Sequence, residues 1–355
     1  MTRPRIPAPA ILLLLCLLTA AASAQPSSPG HPPQARQFDF WLGDWDVNLR
    51  IRQEDLTWAD AIAARARIYP VLGGKAVLEL WESQPIVGYS LRYYDAAERE
   101  WVLWLNWPGK DRSGTQRLTG SFRHGRGEFF ATRILPDSTE RISRYTFSDI
   151  SDSTLRWDDA FSTDGGRTWS HGWIMEFTRR DGAAQWPEPG GDIPTMNGDG
   201  RCSLPAFRRF DKLAGLWTGA MTWRLDDGST TTVPLEMTAI PILQGCAVLQ
   251  RLSWMTDGQI QRSLRIVTFN TYIGRYEELY LDGEPGRAVR MFYGAAAADS
   301  VVLTARGRAE RGIGAARSVW RHPGGDHATL YLHHLRETAA GWQTTRRAVL
   351  RRTTP

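Results

Sequence analysis

"FDFWLGDWDV" at residues 38–47 and "FDKLAGLWTG" at 210–219 share an F-D start and a G-x-W, with Gly43/Trp45 and Gly215/Trp217 lying 172 residues apart. Further matches follow in the same order. "GGKAVLEL" and "QGCAVLQRL" align Gly74 with Gly245 at an offset of 171, and Ser90-Leu91-Arg92 meets Ser263-Leu264-Arg265 at 173. Tyr94-Asp95 and Trp101 meet Phe269-Asn270 and Tyr276 at 175, while Trp169 and Phe177 meet Trp342 and Leu350 at 173. An offset that drifts so little over separated motifs marks a tandem duplication.

The copies span 37–180 and 207–355, joined by "DGAAQWPEPGGDIPTMNGDGRCSLPA" (181–206), whose Pro and Gly cannot continue regular structure. Residues 25–36, also Pro-rich, form an unstructured lead-in. Ahead of it, Arg3 and Arg5, the apolar run "ILLLLCLLTAAA" and the small-residue site Ala22-Ser23-Ala24 read as a secretory signal, residues 1–24. Cleavage near Ala24 places the mature chain in the periplasm or outside the cell. The apolar run is too short to span a bilayer, and Cys16 lies inside it, after a Leu rather than a small residue, so no transmembrane or lipid anchor is expected.

Within each copy the pattern is short, β-branched and aromatic, as in "KAVLELWES", "YSLRYYD" and "EWVLWLNW", punctuated by D-A-A, P-G-K and D-G-G turns. Helix-period runs are scarce: the F-D motifs could form short helical turns, and "TWADAIAARARI" is either a helix or a strand of alternating Ala and Arg. Roughly eight consecutive antiparallel strands per copy suit an up-and-down barrel, which closes its own edges. A sandwich is the alternative. The expected fold class is all-β, two tandem antiparallel barrels with few short helices.

The G-x-W once per copy resembles the lipocalin/calycin signature, in which the Trp plugs one barrel end. With the G-G/G-C turn, "YYD" followed by Trp, and the hairpin S-x-D-G-G-x-T-W (162–169), the first copy resembles a family of secreted bacterial proteins of unknown function that open on F-D-F-W-L-G-x-W. The resemblance covers 38–180. It is weaker in the second copy, where "FDKLAGLW" lacks the first Trp and Asp164-Gly165-Gly166 align with Glu337-Thr338-Ala339. It implies lipocalin-like barrels and no particular reaction.

Composition narrows the function classes. The formal charge falls from +5 to +3 when Arg3 and Arg5 leave with the signal, and the remaining charges of both signs are interspersed. No basic block tracks a phosphate backbone, so nucleic acid is not an expected partner. Cys202 and Cys246 either pair in an oxidising compartment or remain buried free thiols. No metal site or cofactor is expected: the two mature cysteines lack companion histidines, and exposed or hydrogen-bonded roles account for His171, His333 and His334 better than haem ligation. G-x-S-x-G, H-E-x-x-H and phosphate-loop patterns are absent. The D-G-G hairpin occurs once, whereas an Asp-box propeller repeats it, so it reads as a turn in which Asp164 bonds its own backbone.

Ten of sixteen tryptophans fall between residues 41 and 173, which points to an aromatic-lined interior in the first copy. Trp81, Trp104 and Trp157 are the candidate walls. On "KAVLELW", Val77, Glu79 and Trp81 share one face, and their counterparts are Val248, Gln250 and Leu252, with Arg251 on the opposite face. If Arg251 meets solvent, Glu79 faces inward and needs a partner, for which Arg92 and Arg144 are candidates. Glu79, Tyr94 and Arg144 are thus possible polar anchors, although a structural Glu–Arg pair explains Glu79 equally. The expected function is non-catalytic binding of a small, partly apolar or aromatic ligand, mainly in the first barrel. The alternatives are a barrel-interior hydrolase or isomerase using Glu79 with an arginine, and an envelope scaffold with filled barrels.

Overall fold

A computed structural model describes residues 32–353 apart from 85, 110–113, 183, 185, 187–200, 226, 284–288, 307–313 and 322–328; the segment expected to be a signal, most of the expected lead-in and much of the expected linker lie outside them. Ten strands make the first barrel: β1 (Gly43–Ile51), β2 (Ile62–Val71), β3 (Ala76–Ser83), β4 (Val87–Asp95), β5 (Glu100–Asn106), β6 (Gln116–Arg123), β7 (Arg126–Ile134), β8 (Glu140–Ser148), β9 (Thr154–Ser162) and β10 (Ser170–Arg179). The second repeats them: β11 (Gly215–Arg224), β12 (Thr230–Ile242), β13 (Ala247–Thr256), β14 (Gln259–Asn270), β15 (Arg275–Leu281), β16 (Arg290–Ala296), β17 (Ser300–Ala305), β18 (Ala316–Arg321), β19 (Thr329–Thr338) and β20 (Gly341–Arg352). Each strand pairs antiparallel with the next, and β1–β10 and β11–β20 pairing closes both barrels. Closure rules out the sandwich, and the strand count is ten rather than about eight. No helix of the described residues is long and apolar enough to cross a membrane.

The additional strands include segments that resembled helix or loop. In β2, Ala64, Ala66 and Ile68 face the interior while Arg65 and Arg67 face out to Asp44 and Glu82. Ala66 lies opposite Trp45 on one side and Trp81 on the other, so only a small residue leaves room for both indoles. The alanines that favoured a helix are spacers between tryptophans. Two-residue hairpins join several strands, with positive φ at His124-Gly125 and at Asp257-Gly258 as type I′ turns require. Pro33–Arg36, at the end of the lead-in, form a 3-10 turn.

The G-x-W motif works alike in both copies. A 3-10 turn, Asp39–Trp41 or Phe207–Leu213, covers one barrel end, and the following Trp donates from Nε1 to its carbonyl: Trp45 to Trp41 O and Trp217 to Leu213 O, both at 2.8 Å. An arginine from the last strand stacks on the indole, Arg179 at 4.0 Å and Arg352 at 4.6 Å, and donates to the turn. Gly43 and Gly215 have φ of +129° and +126°, and a Cβ there would meet the same guanidinium at 2.7 and 2.8 Å. Glycine is needed at both.

Besides the two interiors there is a third core. The outward faces of β2–β5 (Leu78, Leu80, Leu91, Trp104) pack with those of β12–β15 (Ile240, Leu249, Ile266, Leu279). Glu277, buried at this junction, accepts from Asn106 Nδ2, Thr115 N and Thr115 Oγ1 of the first barrel and Asn270 Nδ2 of the second, at 2.7–3.0 Å. Four donors offset the cost of burying its carboxylate. Cys202 and Cys246 form a disulfide beside this core.

Candidate ligand-binding site

At the end of the second barrel opposite the Trp217 plug lies a cavity of about 740 Å³. Strand parity decides its walls. Phe292 faces inward on β16, so Arg290 does too; Ser263, Arg265 and Gln261 share the inner face of β14, and His334 continues the inner row of Leu330 and Leu332 on β19. Trp223, Trp254, Tyr280 and Phe292 supply rings, and Gln261, Asp282, Arg290, His334 and Arg346 supply polar groups.

Beneath the cavity is a buried polar layer. Arg265, 1% exposed, donates from Nη1 to Glu278 Oε1 at 2.8 Å and to Ser318 Oγ at 3.2 Å. Glu278 Oε2 also accepts from Trp320 Nε1 at 2.8 Å and from Ser318 Oγ at 3.2 Å. The other arm of Arg265, Nη2, meets His334 Nε2. A guanidinium can only donate, so Nε2 must be the acceptor, His334 is neutral, and its proton sits on Nδ1. Burial pushes the His334 pKa well below 6.5, with Arg265, Arg346 and Arg290 adding in the same direction. Nearer the opening, Arg346 reaches Tyr280 Oη at 3.2 Å and Asp282 Oδ2 at 3.4 Å. Gln250, fully buried in this layer opposite Arg265, finds no hydrogen-bond partner among the described residues for its amide.

The residues singled out from the sequence lie in the first barrel and do not form one site. Glu79 and Trp81 face inward, and Arg251 is exposed on the outer face of β13. Glu79 accepts from Ser90 Oγ at 2.5 Å and from Arg92 Nη2 at 3.4 Å; burial raises its pKa, and Arg92 and Ser90 draw it back. Arg92 is caged by rings, its guanidinium carbon 3.9 Å from the Trp41 centroid and 4.6 Å from Phe38. Burial lowers its pKa and Glu79 opposes the shift. Tyr94 packs against Trp101 at 5.9 Å, and Trp157 against Tyr145 at 4.9 Å inside the barrel. Two expectations need correction. Trp104 points out of the barrel into the junction core, and Arg144 lies on the outer face of β8, stacked on Trp169 at 4.0 Å, so neither meets Glu79.

Arg290, Arg346, Tyr280 and Trp254 are not among the residues that the sequence singles out, and His334 takes the hydrogen-bonded role preferred there to haem ligation, here with Arg265. Extending the inner row of "TLYLHHLRE" from Leu330 and Leu332 would have placed His334 inward. At the D-G-G hairpin, Asp164 accepts from Thr168 N at 3.0 Å and Thr168 Oγ1 at 2.7 Å, bonds that hold its carboxyl well below the usual range.

No family model matches the chain, and no curated protein does. Solved structures with a similar fold include the M. tuberculosis protein Rv2717c, at 16% identity and TM-score 0.33, covering 42% of this chain and 98% of that one. A protein with unknown function from the DUF3598 family of Nostoc punctiforme matches at 10% identity and TM-score 0.27, over 91% of this chain and 100% of that one. Transferrin binding protein B of Haemophilus parasuis matches at 9% identity and TM-score 0.21, over 88% and 75% respectively. At these scores the likenesses bear on neither ligand nor activity.

Proposed function

We propose that the chain is an exported, non-catalytic binding protein for a small, partly apolar or aromatic molecule, held in the cavity of the second barrel. The observation that carries this reading is the cavity itself. Its volume of about 740 Å³ suits a small organic ligand, and its lining sets four rings, Trp223, Trp254, Tyr280 and Phe292, among many polar and charged side chains that could fix a ligand's orientation. Export is supported by the signal-like start and by the Cys202–Cys246 disulfide, a bond that persists in oxidising compartments. The enzymatic alternative on Glu79 gains no support, because Ser90 and Arg92 already engage that carboxylate beneath the aromatic cage. Native mass spectrometry of mature protein purified from its own envelope tests the proposal. The expected result is a co-purified mass of a few hundred daltons that is weakened in Trp254→Ala; ligand-free protein that also fails to take up envelope extracts would reject it.

A further inference from the structure

Resting on the second-barrel cavity as a ligand site, we propose that its ligand is a small organic anion: a ring-bearing body with one terminal carboxylate, the carboxylate held by Arg290 and Arg346. Arg290 carries the argument. Its side chain lies on the inner face of β16, opposite Tyr280 on β15, and makes no hydrogen bond or ion pair with any described residue. A half-buried guanidinium with five donors and no acceptor is costly to leave unpartnered. Arg346 leaves little acid to spare, since both its Nη atoms share the single oxygen Asp282 Oδ2 at 3.4 Å. Among the described residues that line the opening, Arg224, Arg290, Arg336 and Arg346 stand with two acids, Asp227 and Asp282. His334 accepts from Arg265 and contributes no negative charge. Burial lowers the Arg290 pKa and the nearby Arg346 adds to this, while Tyr280 opposes it.

The strand pairings show that this is a property of the second barrel. Following them around each barrel brings Gln116 to the place of Arg290 and Trp173 to the place of Arg346. Gln116 is already engaged, accepting from Tyr145 Oη at 2.9 Å.

The test titrates the mature chain calorimetrically, at fixed ionic strength, with 1-naphthylacetate and with its neutral amide, 1-naphthylacetamide. The acid is expected to bind about tenfold tighter, the size of one charge-assisted hydrogen bond. Arg290→Gln, which breaks no bond among the described residues, should remove most of that preference by weakening the acid far more than the amide, and keep the circular dichroism and urea midpoint of the parent. Equal affinities for acid and amide overturn the anion assignment and leave the cavity as a ligand site. Failure of both to bind overturns the assignment together with the cavity reading. A preference that survives Arg290→Gln combined with Arg346→Gln overturns the placement of the carboxylate.

Discussion

The two barrels share a strand order, a plug and a stacking arginine, yet their interiors are filled by different chemistry. In the first, Arg92 sits against the plug, enclosed by Phe38 and Trp41, and tryptophans crowd the opposite end: Trp81 packs on Trp107 at 5.3 Å and Trp107 on Trp173 at 5.2 Å. In the second, the strand register puts Arg265 in the place of Ser90, two residues nearer the opening, while Val267 takes the place of Arg92. The carboxylate has moved as well. Gln250 replaces Glu79, and Glu278 stands where the first barrel has Leu103. The Asp282–Arg346 pair then occupies the position of the Trp107–Trp173 stack. A duplicated scaffold has kept its ends and exchanged an aromatic mouth for a cationic one.

The largest expected effect concerns the two buried carboxylates. Glu278→Gln strips Arg265 of the one acid it pairs with among the described residues and should cost roughly 3–5 kcal/mol, the usual penalty for a buried charge left alone. Both guanidiniums also lie over rings, Arg92 over Trp41 and Phe38 and Arg265 over Tyr280 and Trp320, so the difference lies in the ion pairs. Glu79→Gln should cost less, about 2 kcal/mol, because Glu79 meets Arg92 only at 3.4 Å, whereas Glu278 meets Arg265 at 2.8 Å and also accepts from Ser318 and Trp320. Urea midpoints of the two variants measure the order, and the reverse order breaks the comparison. Gly43→Ala and Gly215→Ala should each lose about 2 kcal/mol through strained φ and collision with the stacked arginine. Equal losses would confirm that the plugs are equivalent, and a loss in one barrel alone would separate them.

A smaller effect depends on pH. His334 is neutral in the fold and surrounded by Arg265, Arg290, Arg346 and His333, with Glu278 and Asp282 as the nearby acids. The unfolded chain takes up a proton at about 6.5, so stability is complete above that value and is lost as the pH falls from there toward the lower folded value. The slope is about 1.4 kcal/mol per pH unit for one proton. Urea melts between pH 7 and 5 should show it, and His334→Gln should flatten it; an unchanged slope would mean that another group is responsible. The smallest effect is expected for Arg144→Gln, which removes only an outer-face stack on Trp169, worth about 0.5–1 kcal/mol.

Much of this was legible in the sequence. The repeat, the all-β class and the inward face of β3 follow from spacing and period-2 parity. Parity failed for Trp104 because β3 and β5 are buried on both faces, the outer one against the second barrel, so alternation no longer distinguishes inside from outside. The match of Ser90-Leu91-Arg92 to Ser263-Leu264-Arg265 misled differently. A shift of two residues preserves the face and hides the displacement of the arginine along the strand, which only the pairing register reveals. The abundance of tryptophan points to the first barrel, yet several of its rings, such as Trp81, Trp107 and Trp173, pack on one another, while the sparser rings of the second barrel line a cavity.

The most direct test of the division between the barrels compares two variants purified from the native compartment by native mass spectrometry. Gln261→Trp adds an indole to the lining of the second-barrel cavity, and Trp157→Ala opens the interior of the first. The co-purified mass should disappear in Gln261→Trp and persist in Trp157→Ala. Loss in Trp157→Ala with retention in Gln261→Trp would place the ligand in the first barrel and contradict the account.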